Sequence, residues 1–379
     1  MSPFKSSAGR SLGKLIEGFK SSTIGQAFGS GSGGGGSQRV FATGGSQRDF
    51  GEYKLHIFEG QTTIDGSAAP YVFEVVQADP GTTFDIIMVA GGGGGGDDQP
   101  GAYAGGGGGA GGVRFIPELT LSVAQYPLSV GSGGSNANNG GPTIFNAPNG
   151  SGVPAITCHG GGKGGHGSGG GGGDGGSGGG KDYPGGITQF GAGNNGAGNS
   201  PEPRASDDSS PIGPTQFQGS PGNARASDVT YASGGGGGAR YVPGYYTSPI
   251  TGPGIVVTAS NPNGSNYRGQ GGDGINFASI IGPYTTNGGY GDESPRAQPG
   301  AWFGGGGHGG KYPGGPNLPG TGGIGGGGNG TPGSDPNWSG RQSKHGQANT
   351  GGGGGISVGN GGPGIMIIRY KEYGGPTGS

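Results

Sequence analysis

The stretch GGGGGAGGVRF, residues 105–115, decides the fold of this chain, because a run of five glycines passes directly into an apolar segment. Three further runs of the same length follow later in the sequence. The residues that bound the four runs lie six positions apart; they are Ala104 and Ala110, Ser168 and Asp174, Ser233 and Ala239, and Thr350 and Ile356. Six residues make two turns of a helix with three residues per turn, so the spacing indicates a repeated three-residue unit.

Composition limits the kinds of fold that this chain can adopt. It has 111 glycines and 29 prolines among 379 residues, and only 27% of its residues are hydrophobic. So few hydrophobic residues cannot build an apolar core in proportion to this length, and backbone hydrogen bonds must hold much of any compact structure. A disordered chain is the alternative that this composition allows. Collagen is excluded, because the five-glycine runs break its Gly-X-Y repeat.

The glycine runs predict a bundle of extended helices. A helix with three residues per turn and no side chains directs its N–H and C=O groups outward, where neighbouring helices can bond to them. One such helix is unstable alone, since fixing each residue costs about 1–2 kcal/mol of backbone entropy and a hydrogen bond returns only about 0.5–1.5 kcal/mol. The sequence therefore predicts a mostly irregular and β fold: short strands, a packed bundle of polyglycine-II helices and a short N-terminal amphipathic α-helix.

Apolar runs predict strands on both sides of the glycine-rich region. Tyr53–Phe58, Tyr71–Val76 and Thr83–Val89 are rich in β-branched and aromatic residues and are separated by turn-forming residues. The last apolar run, Gly364–Tyr370, is expected to return and close the sheet that begins near Phe50.

These patterns divide the chain into five regions. They are an N-terminal helical anchor (1–28), a Gly/Ser-rich linker (29–49), a base of β-strands (50–130), a polyglycine-II bundle with long loops rich in Tyr, Pro and Asn (131–360), and a closing strand and tail (361–379). In the anchor, apolar residues recur at helical spacing and predict an amphipathic helix that attaches to a partner; they are Leu12, Leu15, Ile16 and Phe19. The Ser-rich, acid-poor composition of this segment is also typical of a transit peptide.

Two long intervals between glycine runs, residues 181–232 and 239–303, are rich in Pro, Asn, Ser and Tyr, and aromatic residues of the second are the candidate receptor-binding residues. Loops of such length are usually functional or disordered, and Tyr and Trp side chains offer a large contact area at a low cost in conformational entropy. The candidates are Tyr241, Tyr245, Tyr246, Tyr267, Tyr284, Tyr290 and Trp302. The alternative interpretation is that these aromatic residues cap the ends of the glycine bundle.

No motif in the sequence predicts catalysis or a bound cofactor. The lysines that follow glycines lack the Ser or Thr of a phosphate-binding loop. Cys158, His159 and His166 lie close together, but no fourth ligand follows at the spacing of a zinc motif, so we expect no metal site. With one cysteine, a net charge of −2 and no long apolar run, we expect no disulfide, no nucleic-acid partner and no membrane insertion. We also expect that the protein is not an enzyme.

Several segments resemble a known family. They are IIMVAGGGGGG (residues 86–96), GGGGGAGGVRF (105–115), LSVGSGG (128–134) and GGPGIMIIRYK (361–371). Their succession resembles the glycine-rich domain of bacteriophage virion proteins, especially tail fibres, over residues 50–370. The composition is similar to that of the polyglycine-II adhesins at the fibre tips of T-even-like phages. The opening PFKSSAGRSLGKLIEGFKSS (residues 3–22) resembles the N-terminal segments of marine cyanophage structural proteins, whereas the tip adhesins do not begin in this way.

The resemblance implies a virion structural protein that is assembled in the host cytoplasm and exposed on the particle as a fibre or adhesin component. Its N-terminal segment would bind other virion proteins, as a monomer or as a homo-oligomer, and its loops would bind a host-surface glycan or an outer-membrane protein. One alternative is a capsid decoration or head-fibre protein without receptor binding. An alternative from another class is an antifreeze or extracellular-matrix glycine-rich protein, which would need a flat, regular Thr/Ala face.

Overall fold

The computed structural model describes residues 40–61, 68–97, 105–166, 171–180, 219, 234–239, 271–282, 301–309, 322–330, 344–356 and 359–371. All of these residues belong to one compact unit, which spans Arg39–Tyr373. The strands are β1 (Val40–Thr43), β2 (Ser46–Phe50), β3 (Tyr53–Glu59), β4 (Ala68–Ala78), β5 (Phe84–Val89), β6 (Val113–Leu119), β7 (Ala124–Gly131), β8 (Thr143–Phe145), β9 (Ile156–Cys158), β10 (Ile275–Asn276), β11 (Trp302–Phe303) and β12 (Ile365–Lys371), and one helical turn, α1, covers Ala278–Ile281.

The strands form three antiparallel sheets. The first has the order β1-β4-β7-β8-β9, the second has the order β2-β3-β12-β5-β6, and β10 pairs with β11 in the third. The last strand of the chain, β12, lies in the middle of the second sheet, where Ile367 is opposite Ile57 of β3 and Ile87 of β5. The expectation that the C-terminal apolar run closes the sheet begun near Phe50 is therefore confirmed.

Both faces of the second sheet are buried, because residues 86–89 of β5 and 365–368 of β12 are apolar at every position. Alternate side chains along the central strands face the first sheet and form the main core with it; they include Phe58, Met88, Met366 and Ile368. The side chains between them face the opposite side of the sheet and pack under α1 and β11; they include Ile57, Ile87, Ile365 and Ile367. Burying each of these side chains stabilises the fold by about 1.5–3 kcal/mol. The strand-rich part of the chain therefore has an apolar core of its own.

Arg369 attaches α1 to the second sheet. Its Nη2 and Nε atoms both lie 2.7 Å from Oδ2 of Asp85, and its Nη1 donates to the carbonyl oxygen of Ile280 at 2.5 Å. The guanidinium group also lies over the ring of Tyr53, 4.2 Å from the ring centre. Since both charged side chains are mostly shielded from solvent, loss of either partner would leave a poorly compensated charge.

In both large sheets the connections between strands differ from one end to the other, and this difference fixes where the glycine runs meet the sheets. Their ordinary turns lie at one end, here called the turn end, at residues 51–52, 79–83, 120–123 and 146–155. At the other end, β5, β7 and β9 pass into glycine runs, and glycine runs lead into β6, β8 and β12. Thr143 joins the two sheets there, because its Oγ1 accepts from the Gly131 N–H at 3.0 Å and donates to the Val89 carbonyl at 2.8 Å. All these runs therefore meet the sheets at one surface.

The fold class that the sequence predicts is wrong. The described structure is mostly β-sheet, in three antiparallel sheets, and its one helix is the single turn α1 rather than an N-terminal amphipathic helix. The apolar residues are few, but they are concentrated in the strands, and this concentration suffices for two packed sheets. The residues on which the helix was predicted, Leu12, Leu15, Ile16 and Phe19, lie outside the described residues. Strand β1 and most of β2 lie within residues 40–49, which the sequence assigns to a linker.

A buried histidine holds the turn at which the chain crosses between the sheets. His56 of β3 is inaccessible to solvent; its Nδ1 lies 2.7 Å from the carbonyl oxygen of Gly44, and its Nε2 lies 3.4 Å from the Tyr370 hydroxyl. Gly44 lies between β1 and β2 with a φ of +108°, and a Cβ there would overlap the Val72 carbonyl. Burial lowers the pKa of His56 below 6.5, as does the charge of Lys54 to a lesser degree, whereas the hydrogen bond with Gly44 raises it.

We predict that His56 makes the fold sensitive to acid. Below pH 6.5 the unfolded chain binds a proton on this residue that the folded chain does not bind, so the free energy of unfolding falls as the pH falls. Urea denaturation at a series of pH values from about 7.5 to about 5 measures this dependence. A His56→Gln variant, which cannot titrate, should lose less stability over the same interval. An equal loss in the two proteins would contradict the assignment.

Candidate binding surface at the open end of the glycine array

The glycine runs pack together on the strand ends of the two sheets. We call them the glycine array; it comprises residues 90–97, 105–112, 132–141, 159–166, 171–180, 234–239, 271–274, 304–309, 322–330, 344–356 and 359–364. Their backbone groups are bonded mainly to other runs that are distant in sequence. Buried backbone polar groups require such partners, so the position of each run depends on its neighbours.

The partners of one run change with a period of three residues. In residues 91–96 every N–H donates to a carbonyl of a different run at 2.7–3.0 Å. The pairs are Gly91 with Gly141 and Gly94 with Asn138; Gly92 with Gly362 and Gly95 with Gly359; and Gly93 with Gly109 and Gly96 with Gly106. Residues three apart therefore bond to the same neighbouring run, and the donors of this run reach three neighbours.

The carbonyl groups of the same run reach three further neighbours. They accept N–H groups from Gly161 and Gly164, from Gly134 and Ala137, and from Gly354. Residues 91–96 are thus enclosed by six other segments. The run at residues 105–112 is enclosed in the same way, and its donors reach residues 159–165, 234–237 and 351–354. These two runs form the interior of the array.

Close approach of the backbones leaves no room for side chains in the interior. A Cβ atom on Gly93 would lie within 3.0 Å of the backbone of Gly162, and a Cβ on Gly236 would lie equally close to the backbone of Gly108. Real Cβ atoms essentially never approach backbone atoms so closely. Most of the glycines in the array are therefore required for packing and not for conformational freedom.

The array has an open end, on the side away from the strands. Gly96 bonds to Gly106, Gly106 to Gly165, and Gly165 to Gly180, so these residues lie at one level. Gly234 joins the same level through the N–H of Gly107. Asp97, His166 and Gly180, the last described residues before the segments 98–104, 167–170 and 181–218, lie at or next to this level. We define the open end as Gly96, Gly106, Gly165, Gly180 and Gly234 with the side chains next to them.

Polar side chains surround the open end. Lys163 and His166, three residues apart, are both exposed, as the period of the array requires for residues on its rim. Asn139 ties two runs together, since its Oδ1 accepts from the Lys163 N–H at 2.9 Å and its Nδ2 donates to the Asp174 carbonyl at 3.2 Å. The sequence signal for Lys163 and His166 is their three-residue spacing within a glycine run, which puts both on one edge of a helix with three residues per turn. No such signal identifies Asn139.

Only one of the predicted receptor-binding residues, Trp302, lies among the described residues. Tyr241, Tyr245, Tyr246, Tyr267, Tyr284 and Tyr290 lie outside the described residues, but the residues next to their segments are described. Ala239 donates its N–H to Gly304, next to β11, and Ala301 accepts from Phe277, next to α1. Both contacts lie at the strand end of the array. Trp302, the one described candidate, is only 6% exposed and pairs with Asn276 in the third sheet.

Cys158 and His345 form contacts within the packed structure. Cys158 is buried, and its thiol lies 3.7 Å from the Met88 carbonyl. His345 accepts the Asn360 N–H on Nδ1 at 3.0 Å, and burial together with the charge of Lys344 lowers its pKa below 6.5. Among the described residues no group of three or more His, Cys, Asp or Glu side chains could hold a metal ion. Nor does any helix in this part of the chain have the length and apolar character needed to cross a membrane.

A comparison with known protein families finds a match to the glycine-rich part of the chain. A family model described as a glycine-rich domain matches residues 68–317, from β4 to beyond β11. No curated protein and no solved structure matches the chain significantly.

We predict that one methyl group in the array disrupts it. Gly236→Ala should lower the free energy of unfolding by about 3 kcal/mol or more, because the added Cβ meets the backbone of Gly108 and not a flexible side chain. The matched control is Gly51→Asn, in the turn between β2 and β3. Gly51 has a φ of +60°, which asparagine tolerates, and no atom lies within 4 Å of its added Cβ. Thermal denaturation compares the two variants, and equal stability would contradict close packing at Gly236.

Proposed function

The chain belongs to the glycine-rich domain family, and we propose that it is a bacteriophage virion structural protein, a fibre or adhesin component that displays loops for recognition of the host surface. The observation that carries this proposal is the polarity of the described fold. Val40, the first described residue, pairs with Ala78 at the turn end of the sheets, and the open end of the glycine array lies on the opposite side. The chain thus enters β1 at one end of the fold, and the described residues Asp97, His166 and Gly180 lie at or next to the level that defines the other end.

Rigidity is the second argument for a display role. Each interior run is bonded to six neighbours, so a run cannot move without breaking hydrogen bonds to several others. Rigid elements hold binding loops in fixed relative positions, which lowers the entropic cost of binding. A glycine array with few functional groups therefore suits a scaffold for recognition better than it suits catalysis.

The partners follow from the two ends. We propose that the N-terminal segment, residues 1–28, binds other virion proteins and that the protein is exposed on the particle. The polar rim at the open end, with Lys163 and His166 exposed, suits hydrogen bonding to a host-surface glycan or to the loops of an outer-membrane protein.

One observation favours a capsid decoration or head-fibre protein without receptor binding. Two of the described residues that adjoin these segments, Ala239 and Ala301, lie at the strand end of the array and not at its open end. Tyrosines attached there could cover the sides of the base and array. In this alternative they shape the protein surface and take no part in attachment.

We predict that deletion of residues 1–28 abolishes incorporation into particles and leaves the fold intact, because the sheets begin at Val40. The truncated and complete proteins are expressed during infection, and purified particles are probed for each. Thermal denaturation of the truncated protein provides the control for folding. Copurification of a folded, truncated protein with the particles would contradict the attachment role.

Replacement of Tyr241, Tyr245 and Tyr246 by serine tests whether these tyrosines take part in attachment to the host. If these residues bind a receptor, adsorption of particles to host cells falls by about tenfold or more, as expected when aromatic anchor residues are lost. Particles that carry Gly51→Asn, which lies at the turn end, provide the control. Unchanged adsorption by particles that contain the triple variant would contradict receptor binding by these tyrosines.

A further inference from the structure

Four Asn-Gly pairs lie among the described residues: Asn139-Gly140, Asn149-Gly150, Asn329-Gly330 and Asn360-Gly361. In such a pair the backbone nitrogen of the glycine can attack the side-chain amide carbon of the asparagine, since glycine has no Cβ to obstruct it. The attack requires the glycine N–H to be free and the asparagine side chain to rotate onto it. Local structure therefore decides which pair reacts.

Backbone hydrogen bonds of the array protect two of the pairs. The Gly140 N–H donates to the Gly161 carbonyl, and the Gly361 N–H donates to the Gly134 carbonyl, each at 2.9 Å. Asn139 is held further, because both ends of its side-chain amide are hydrogen bonded. In these pairs the attacking nitrogen is already bonded to another run.

The third pair is protected by side-chain bonding and burial. Oδ1 of Asn329 accepts the Gly322 N–H at 2.8 Å, which fixes the amide group. Gly330 is buried against the ring of His308, and a Cβ there would overlap that ring. Rotation of the Asn329 side chain onto Gly330 is therefore restricted.

Asn149-Gly150 lies in different surroundings. It occupies the centre of an exposed turn between β8 and β9, which the Ser151 N–H closes by donating to the Pro148 carbonyl at 3.1 Å. Gly150 has a φ of +83°, and no atom lies within 4 Å of the position of its Cβ. Within the described part of the chain, no hydrogen bond holds the Asn149 side chain or the Gly150 N–H. Both requirements for the attack are met here.

We propose that Asn149 is a site of spontaneous deamidation. The Gly150 nitrogen forms a bond to Cγ of Asn149 and loses its proton, the bond from Cγ to the amide nitrogen breaks, and ammonia leaves. Water then adds to either carbonyl of the resulting five-membered imide and opens it to aspartate or isoaspartate. The net reaction converts an amide and water into a carboxylic acid and ammonia, without an oxidant or reductant.

The modification changes the turn end of the fold and not the array. At neutral pH each event adds one negative charge next to β8 and β9, and the isoaspartate product adds a methylene to the main chain of a tight turn. A slow, irreversible change of charge therefore accumulates with the age of the protein on the end at which Val40 enters.

Peptide mapping of the complete native protein tests the proposal. The protein is incubated in mildly alkaline buffer, digested with trypsin and analysed by mass spectrometry. Since Arg114 and Lys163 are the nearest tryptic sites on either side, one peptide contains both Asn149 and the protected Asn139, and fragment ions locate the gain of one dalton. We expect conversion at Asn149 to be at least about tenfold faster than at Asn139, Asn329 or Asn360, because reaction there needs opening of the packed structure.

Two controls separate structural protection from sequence effects. In concentrated urea the four pairs should convert at similar rates, since each has the same Asn-Gly chemistry. The Asn149→Gln variant should show no conversion in this turn and unchanged thermal stability. Equal rates at Asn139 and Asn149 in the native protein would overturn the proposal, as would an intact Asn149 in native samples after the urea samples have converted.

Discussion

The structure depends on one constraint. A backbone segment can form hydrogen bonds with neighbouring backbones on all sides only where neither it nor its neighbours carry a Cβ. Residues 91–96 satisfy this constraint with six neighbours, and an added Cβ at any of these glycines would enter backbone atoms. Each hydrogen bond contributes only about 0.5–1.5 kcal/mol, less than the entropy lost by an ordered glycine. The array is therefore stable only when its runs are packed together and held at their ends.

The two sheets provide those fixed ends. Their core is apolar, and β5, β7, β9 and β12 present the starts or ends of glycine runs on one surface. Thr143, buried between the sheets, bonds to Gly131 and Val89 at this surface and thus sets the spacing of two runs. The apolar base determines where the runs begin, and backbone hydrogen bonds then continue the order away from it. This division explains how a chain with little hydrophobic content forms a compact unit.

The sequence predicts the strands better than the arrangement of the glycine runs. Strands β3, β4, β5 and β12 lie where β-branched and aromatic residues are concentrated, and the pairing of β12 with β3 is confirmed. The predicted fold class is wrong, because short runs such as Val40–Thr43 pair through long-range contacts that a local pattern does not show. The order of the glycine runs was not predictable, since identical residues do not distinguish one neighbour from another. The burial of Trp302 depends on long-range contacts, so it could not be predicted from the sequence either. The same holds for the level of each glycine in the array.

Native-state amide hydrogen exchange tests the central claim most directly, since it reports on the backbone of residues without side chains. If the array and the sheets form one cooperative unit, the amides of Gly91–Gly96 exchange as slowly as those of β12, although the glycine run belongs to no strand or helix. Fast exchange throughout residues 91–96, with slow exchange in β12, would contradict this account. In that case the sheets alone would be the folded unit.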